Sequence, residues 1–520
     1  MQKQKVRNNM KRLLFFVFAF GLLGCDNEQE SSKEVYDIII NNARVIDPET
    51  GFDAIMNIGV SGDKISTITN DEISGKVEIE ATGLIAAPGF IDLHVHGQDP
   101  YTEKLGVRDG RTTQLELESG AWPIQDFYNY KKGNSLSNYG ASVGHLYTRI
   151  QAMDDVNSKG SGALNDTLEK TTETGNKWLM NLATDEELDK IDAYLIQGLK
   201  DGGIGIGIMP GHYNEASSKG LARAVKVAKA NNSFITTHTR YINLTAPSGT
   251  LGIQEMIALS TSYNVPLLIH HVPTNALSDT PIVLDMIDSA KKNGTNIVGE
   301  AFPYVKGSTF IGTRILDEGW QERMDMDYDD LQWVETGETL TKESFEKYRR
   351  ERPEGWYLME HIKEKDMKMA LLHPDVHIGS DAMPFVDKDG ELLPRTAPFG
   401  EGLGHPRGAG AHSTYLRMAI DDGSLTFPQI LAKTSYLQAK FIEDSAPSMK
   451  NRGRLQEDKF ADITIFDPKT VDGVAGYEPG TSSLPSKGII YVIVNGQLVV
   501  NQNEIVEDTF PGSGIRGEIK

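Results

Sequence analysis

The sequence predicts an α/β protein: a (β/α)8 barrel of the TIM type, flanked by a small β-sandwich domain made from both termini. Three observations predict it. The 520 residues exceed one ordinary domain and can bury a large core. Period-2 alternation of apolar and polar residues is confined to the ends of the body, in YDIIINNARVID, MNIGVSGDKISTIT and KVEIEATGLIAA near the start and in ADITIFD and IIYVIVNGQLVV near the finish. Between them, short apolar runs (NNSFITTHTR, VPLLIHHVP, GTNIVGEAFPY, DVHIGSDAMP) alternate with helical stretches such as SSKGLARAVKVAKANN and PIVLDMIDSAKKNG, the pattern of a parallel sheet long enough to close into a barrel.

Taken in order, residues 1–25 read as a lipoprotein signal segment. Lys11 and Arg12 precede LLFFVFAFGLLG, which is too short to span a bilayer comfortably and ends at Cys25. Leu22-Leu23-Gly24-Cys25 resembles the lipobox of bacterial lipoproteins, in which cleavage leaves the cysteine as the lipid-modified first residue. Cys25 is also the only cysteine, so it closes no intramolecular disulfide. An uncleaved N-terminal anchor is the alternative, and either way the body is expected in the bacterial cell envelope, held to a membrane. Residues 26–35 form a polar tether. Residues 36–88 and 455–520 supply the β-sandwich, with Ser61-Gly62-Asp63 as a hairpin turn, and residues 89–454 the barrel. The stretch 315–356 breaks the strand–helix rhythm and reads as an insertion that can serve as a lid over the barrel mouth.

Composition narrows the partners. With 73 acidic against 52 basic side chains the formal charge is −21, which repels phosphate backbones and excludes nucleic acid as the natural partner. At 39% hydrophobic residues and without a solenoid-period repeat, the body is that of a soluble globular protein.

The stretch FIDLHVHGQDP places His94 and His96 one residue apart at the end of an apolar run. In a strand, side chains at i and i+2 share a face, so the two imidazoles could grip one metal ion. A lone His-x-His is more often a pair of surface or hydrogen-bonded histidines. Recurrence shifts the balance: His238 closes SFITTH, His270 closes VPLLIH and Asp381 closes VHIGSD. In a barrel these strand ends converge on the face where active sites of the fold sit.

These residues carry a family resemblance. APGFIDLHVH, THTR, IHH and IGSDAMP resemble the amidohydrolase superfamily, metal-dependent hydrolases on a distorted (β/α)8 barrel with a β-sandwich from both termini. More closely, VGHLYTR, GEAFPYVKGST, GHPRGAGAHSTYLR, RGRLQEDKFADITIFDPKTV and PSKGIIYVIVNGQLVV resemble, in order, segments of the D-aminoacylases (N-acyl-D-amino-acid deacylases), with N-acyl-D-glutamate deacylases as a conceivable subgroup. The likeness runs from about Tyr36 to the C-terminus. It implies His94, His96, His238 and His270 as ligands of one or two Zn2+ ions and Asp381 as the proton carrier. Zinc lowers the pKa of water from 15.7 to about 7 and polarises the carbonyl; Asp381 would accept the water's proton and deliver it to the leaving amine, base then acid. Of the adjacent pair, His270 aligns with the family's ligand, and strand alternation turns His271 away from the barrel axis.

One departure stands out. The D-aminoacylases carry Gly-Asn-Cys-Gly after Gly-Val-Thr-Thr, with the cysteine as metal ligand; this chain reads GRTTQLELESG, Gly110 to Gly120, with Ser119 in the cysteine's place. A serine hydroxyl is a weak zinc ligand, and the neighbouring Glu118 can supply the thiolate's negative charge, with Glu116 as second choice because it lies further from the strand end. The resemblance also places Tyr304, Ser308 and Arg407 near the substrate carboxylate, which an arginine can grip bidentately. His145 and Arg149 match the family without an assigned role. The leading expectation is a zinc hydrolase acting on small-molecule N-acyl-D-amino acids. A cyclic-amide hydrolase of the dihydroorotase or hydantoinase kind is the enzymatic alternative, weakened by the lack of a strand-end lysine suited to a carbamylated bridge. A non-catalytic, lipid-anchored solute-binding protein is the third, weakened by Asp381.

Overall fold

A computed structural model describes residues 35–158, 171, 174–213 and 215–519. The signal segment, Cys25 and the tether up to residue 34 lie outside the described residues. No helix among the described residues is long and apolar enough to cross a membrane.

The barrel is built from eight parallel strands in chain order: β1 (Phe90–Asp92), β2 (Arg111–Ala121), β3 (Asn138–Gly144), β4 (Ile206–Ile208), β5 (Ile235–Thr237), β6 (Leu267–Ile269), β7 (Ile297–Ala301) and β8 (Val376–Ile378). The ring closes just past the ends of β8 and β1, where Val95 bridges Ala382 in the parallel sense and the Ser380 amide donates to Asp92 Oδ1 at 3.2 Å. Alternation along each strand sorts the two faces. Ile206, Ile235, Leu267, Ile269 and Ile297 pack outward into one cluster with the helices, while Leu268 and Val298 face inward to Ile91, Leu93, Leu115 and Leu117.

The outer helices form for local reasons. In Asp185–Lys200, Thr184 and Glu187 make a reciprocal capping box, the first turn is acidic, Lys200 closes the last turn, and Leu188, Ile191, Leu195 and Leu199 are buried at helical spacing. Truncating one of these leucines to alanine removes roughly 2–5 kcal/mol. Ser217 caps Ser218–Ala230 by accepting from the Gly220 amide, and Leu221, Ala224, Val225 and Ala228 line its buried stripe.

Segments from the two ends of the described chain meet in the β domain, one continuous nine-stranded sheet. The antiparallel pairing of Ile463–Phe466 with Ile85–Pro88 joins the C-terminal strands to the N-terminal ones. Ile38, Ile40, Val45, Ile58, Ile463 and Ile493 share its core. The last residues, which the sequence pattern places in this domain, leave it instead. Gly512, Ile515 and Gly517 donate backbone hydrogen bonds to Ser135, Tyr139 and Gly202 beneath the barrel, because the start of β3 has backbone groups free to pair there.

The insertion between β7 and β8 is a subdomain with its own core. Lys306–Phe310, Trp356–Glu360 and Leu331–Trp333 form a three-stranded antiparallel sheet. Trp333 stacks on Tyr348 with ring centroids 4.1 Å apart, over a cluster containing Trp320, Phe345 and Tyr357. The unit therefore begins earlier and ends later than 315–356, since its two longest strands flank that stretch.

Candidate active site

At the C-terminal ends of the strands the barrel interior changes from apolar to charged. Past β1, His94 and His96 turn their Nε2 atoms to within 3.1 Å of each other. Asp381 follows β8 with φ 50°, a left-handed conformation that aspartate tolerates better than most residues. Its Oδ1 lies 3.4 Å from His94 Nε2 and 3.5 Å from His96 Nε2. Arg407 holds it from behind, donating through Nε to the Asp381 carbonyl at 2.7 Å and pairing with Oδ2 at 2.9 Å.

Glu118 on β2 is central. Its Oε2 is 3.4 Å from His94 Nε2 and 3.3 Å from His96 Nε2, while Oε1 is 2.8 Å from His271 Nε2 and 3.4 Å from His238 Nδ1. One carboxylate thus spans two half-sites. Ligand atoms 2.0–2.2 Å from a tetrahedral ion sit about 3.4 Å from one another, the spacing found around Glu118. The contact between Glu118 Oε1 and His271 is not aligned as a hydrogen bond, and Glu118 Oε1, His238 Nε2 and His271 Nδ1 are buried without hydrogen-bond partners. Among the described residues four overlapping groups, His94/His96/Glu118, His94/His271/Asp381, Glu118/His238/His271 and, one layer deeper, His94/His270/Glu300, each keep their donor atoms within 4.8 Å. Imidazole nitrogens and carboxylate oxygens in this arrangement fit a divalent metal.

The electrostatics agree. Burial alone would push His96 down, yet Glu116 and Glu118 carry it up to about 10. His94 is likewise raised well above the usual imidazole value, against burial, by Asp381, Glu118 and Glu300. Glu118 is held well below the usual carboxylate range, because the surrounding histidines outweigh its desolvation. The converging carboxylates thus favour positive charge in this pocket.

The structure brings His94, His96, Glu118, His238 and Asp381 into one cluster and places the rest of the predicted set around it. His271, expected to turn away from the axis, reaches Glu118 and His238. The strand ends at Ile269 and His271 has φ 30°, so alternation no longer governs where its ring goes. His270 does face inward but sits one layer deeper, with Nδ1 2.7 Å from Glu300 Oε2. Glu116 is not beside the ion position; it contacts the far nitrogen of His96 at 2.7 Å. Ser119 donates its amide to Glu116 Oε1 at 3.0 Å.

Ser308 and Arg407 line the cavity above the cluster, together with Met209, Phe310, Ile315 and Trp356. Tyr304 is not among the lining residues: its hydroxyl meets Thr414 Oγ1 at 3.2 Å and Pro406 O at 3.5 Å, behind the cavity wall. His145 bonds the Tyr213 hydroxyl at 2.9 Å, and Arg149 donates to the Trp178 and Asn181 carbonyls at 2.7 and 2.6 Å, which makes both supports of the barrel wall. Glu300, which the sequence pattern did not single out, closes the run NIVGE as His238 and His270 close theirs, so the same strand-end rule could have found it. His212, whose ring centroid is 4.5 Å from that of His238, follows β4 without such a signal.

Fold and site define an amidohydrolase-type (β/α)8 barrel with a metal-competent centre at its mouth. In particular, the chain resembles D-aminoacylase. No protein-family model matches it. D-aminoacylase of Alcaligenes xylosoxydans xylosoxydans is 24% identical over 515 residues, covering 90% of this chain and 95% of that protein. N-acyl-D-glutamate deacylase of the same organism is 24% identical over 526 residues, with 90% and 95% coverage. The crystal structure of N-acyl-D-glutamate deacylase from Bordetella bronchiseptica, complexed with zinc and a phosphonate inhibitor, superposes with a TM-score of 0.74 at 22% identity over 93% of this chain and 100% of that one.

Proposed function

We propose that this protein is a zinc-dependent hydrolase that cleaves the linear amide of N-acyl-D-amino acids. The observation that carries the reading is the Glu118 carboxylate, spanning His94 and His96 on one side and His238 and His271 on the other, with Asp381 beside the first pair. Full-length likeness to the two deacylases supports it.

His94, His96, Asp381 and Glu118 Oε2 would hold one ion, and His238, His271 and Glu118 Oε1 a second. When bound, a divalent metal supplies Lewis-acid polarisation of the substrate carbonyl and a water acidic enough to ionise near neutral pH. The chain's own residues do the rest. Asp381 takes the proton from the attacking water and hands it to the amine nitrogen, which cannot leave as an anion. Arg407, facing the cavity with Ser308, is the partner for the substrate's carboxylate. The apolar side chains around the cavity, Met209, Phe310, Ile315 and Trp356 among them, would exclude water and accept an apolar side chain. A lipid at Cys25 would keep the enzyme in the cell envelope and is not needed for turnover.

The test is a D/L panel of N-acyl amino acids assayed on zinc-loaded protein, with metal content measured in parallel. Amide cleavage confined to the D-series, dependent on zinc and stronger for apolar than for dicarboxylic substrates, is expected. Turnover of cyclic amides alone would overturn the reading.

A further inference from the structure

We infer that Glu300 and Glu116 are positioning residues that dictate which nitrogen His94 and His96 present to the metal, and that Glu300 fixes the tautomer of a second, adjacent imidazole, His270, at the same time. The inference rests on the metal centre proposed above, not on the identity of the substrate.

An imidazole binds an ion only through a nitrogen that carries no proton, and the partner of the other nitrogen decides which one that is. His94 Nδ1 lies 2.7 Å from Glu300 Oε2, and His96 Nδ1 lies 2.7 Å from Glu116 Oε2. A carboxylate accepts and cannot donate, so both contacts place the proton on Nδ1. Both Nε2 lone pairs are then released toward the same point. They face each other at 3.1 Å, an arrangement that is repulsive unless a positive charge, a shared proton or a metal ion, lies between them and the carboxylates of Glu118 and Asp381.

Glu300 carries the larger share. Its Oε2 also accepts from His270 Nδ1 at 2.7 Å, and the His270 ring backs that of His94 with centroids 4.2 Å apart. His270 therefore acts through Glu300 and His94, one layer beneath the centre. The space behind is reserved: a Cβ at Gly379 would fall 2.5 Å from Glu300 Oε1, so only glycine lets the end of β8 pass so close to this carboxylate. A carboxylate buried at 1% exposure is unfavourable as mere filling, since an apolar side chain would occupy the same volume with less desolvation.

The experiment compares wild type, Glu300→Gln and Glu116→Gln. Zinc affinity is measured by competition with a chromophoric chelator, and zinc-loaded protein labelled with 15N-histidine is examined by long-range 1H–15N correlation, which reports the protonated nitrogen of each ring. The wild type should show Nδ1–H on His94 and His96. Each variant should lose roughly 10–100-fold in affinity, with the proton of the affected ring no longer confined to Nδ1. If Glu300→Gln does not fold, Glu116→Gln carries the test alone. A purely structural role would lower Tm and leave affinity and proton position unchanged, which would overturn the inference, as would protonation on Nε2 or no zinc binding in the wild type. Zinc binding that responds to both variants in a protein without amidase activity would overturn the proposed reaction and leave this inference standing.

Discussion

The two ends of the barrel are lined by the same strands and do opposite things. At the floor, Ile91, Leu93, Leu115, Leu117, Leu268 and Val298 meet Phe441 and Ile442 from beneath in a dry apolar layer. The cavity below it is the larger, about 370 Å3 against about 50 Å3 at the mouth. Two of its lysines are already answered: Lys291 pairs with Asp375, and Lys440 pairs with Glu443 at 2.5 Å. Its histidine, His377, is pushed down to about 3 by burial and then by Lys433 and Lys291, and so stays neutral. At the mouth, Glu116, Glu118, Glu300 and Asp381 converge on histidines, and against burial they raise His94 and His96 above the usual imidazole value. Function follows convergent, incompletely satisfied charge rather than the volume of a void.

That contrast can be broken first at the mouth. Asp381→Asn should lose about 10²–10⁴-fold in kcat even at saturating zinc, because the amide keeps the shape and removes the proton route. Near-normal turnover would take Asp381 out of the chemistry. Next in size is Glu118→Gln, which removes the carboxylate that spans both half-sites. Zinc retained after dialysis should drop below the wild-type stoichiometry, by roughly 10–100-fold in affinity for the weaker ion. Unchanged metal content would show that the histidines and Asp381 suffice.

The floor offers a pH test. Lys433 is buried, donates to the His373 and Val376 carbonyls, and is lowered by desolvation from 10.5 to about 7. Between these values the unfolded chain holds one proton more than the folded one, so this group's contribution to stability grows with rising pH and is lost as pH falls toward 7. The slope is at most about 1.4 kcal/mol per pH unit. Denaturant titrations of wild type and Lys433→Met at two pH values inside that window should differ in slope while zinc stoichiometry stays the same. Parallel slopes would refute a neutral, buried Lys433. The smallest effect belongs to Tyr304→Phe, expected to change kcat/KM by no more than about twofold, since its hydroxyl faces Thr414 and not the cavity. A large loss would mean that the wall between them opens during turnover.

How much of the molecule is legible in its sequence depends on whether a rule is local. Alternation and strand–helix rhythm are local, and from them the barrel, the two-ended β domain and the strand-end addresses of His94, His96, His238 and Asp381 can be read from the amino-acid order alone. So can the two buried glutamates of β2, because carboxylates in an apolar run are costly to bury unless a cation or a hydrogen-bond donor meets them. Tertiary structure decided the remainder. Alternation holds only while a strand lasts; β6 stops at Ile269, and the left-handed backbone at His271 brings a second histidine to the axis. Glu300 meets His94 across 206 residues of sequence, and Tyr304 turns to a helix 110 residues away. Spacing along the chain carries no information about such pairings, because closure of the barrel, not the chain between them, sets their distance.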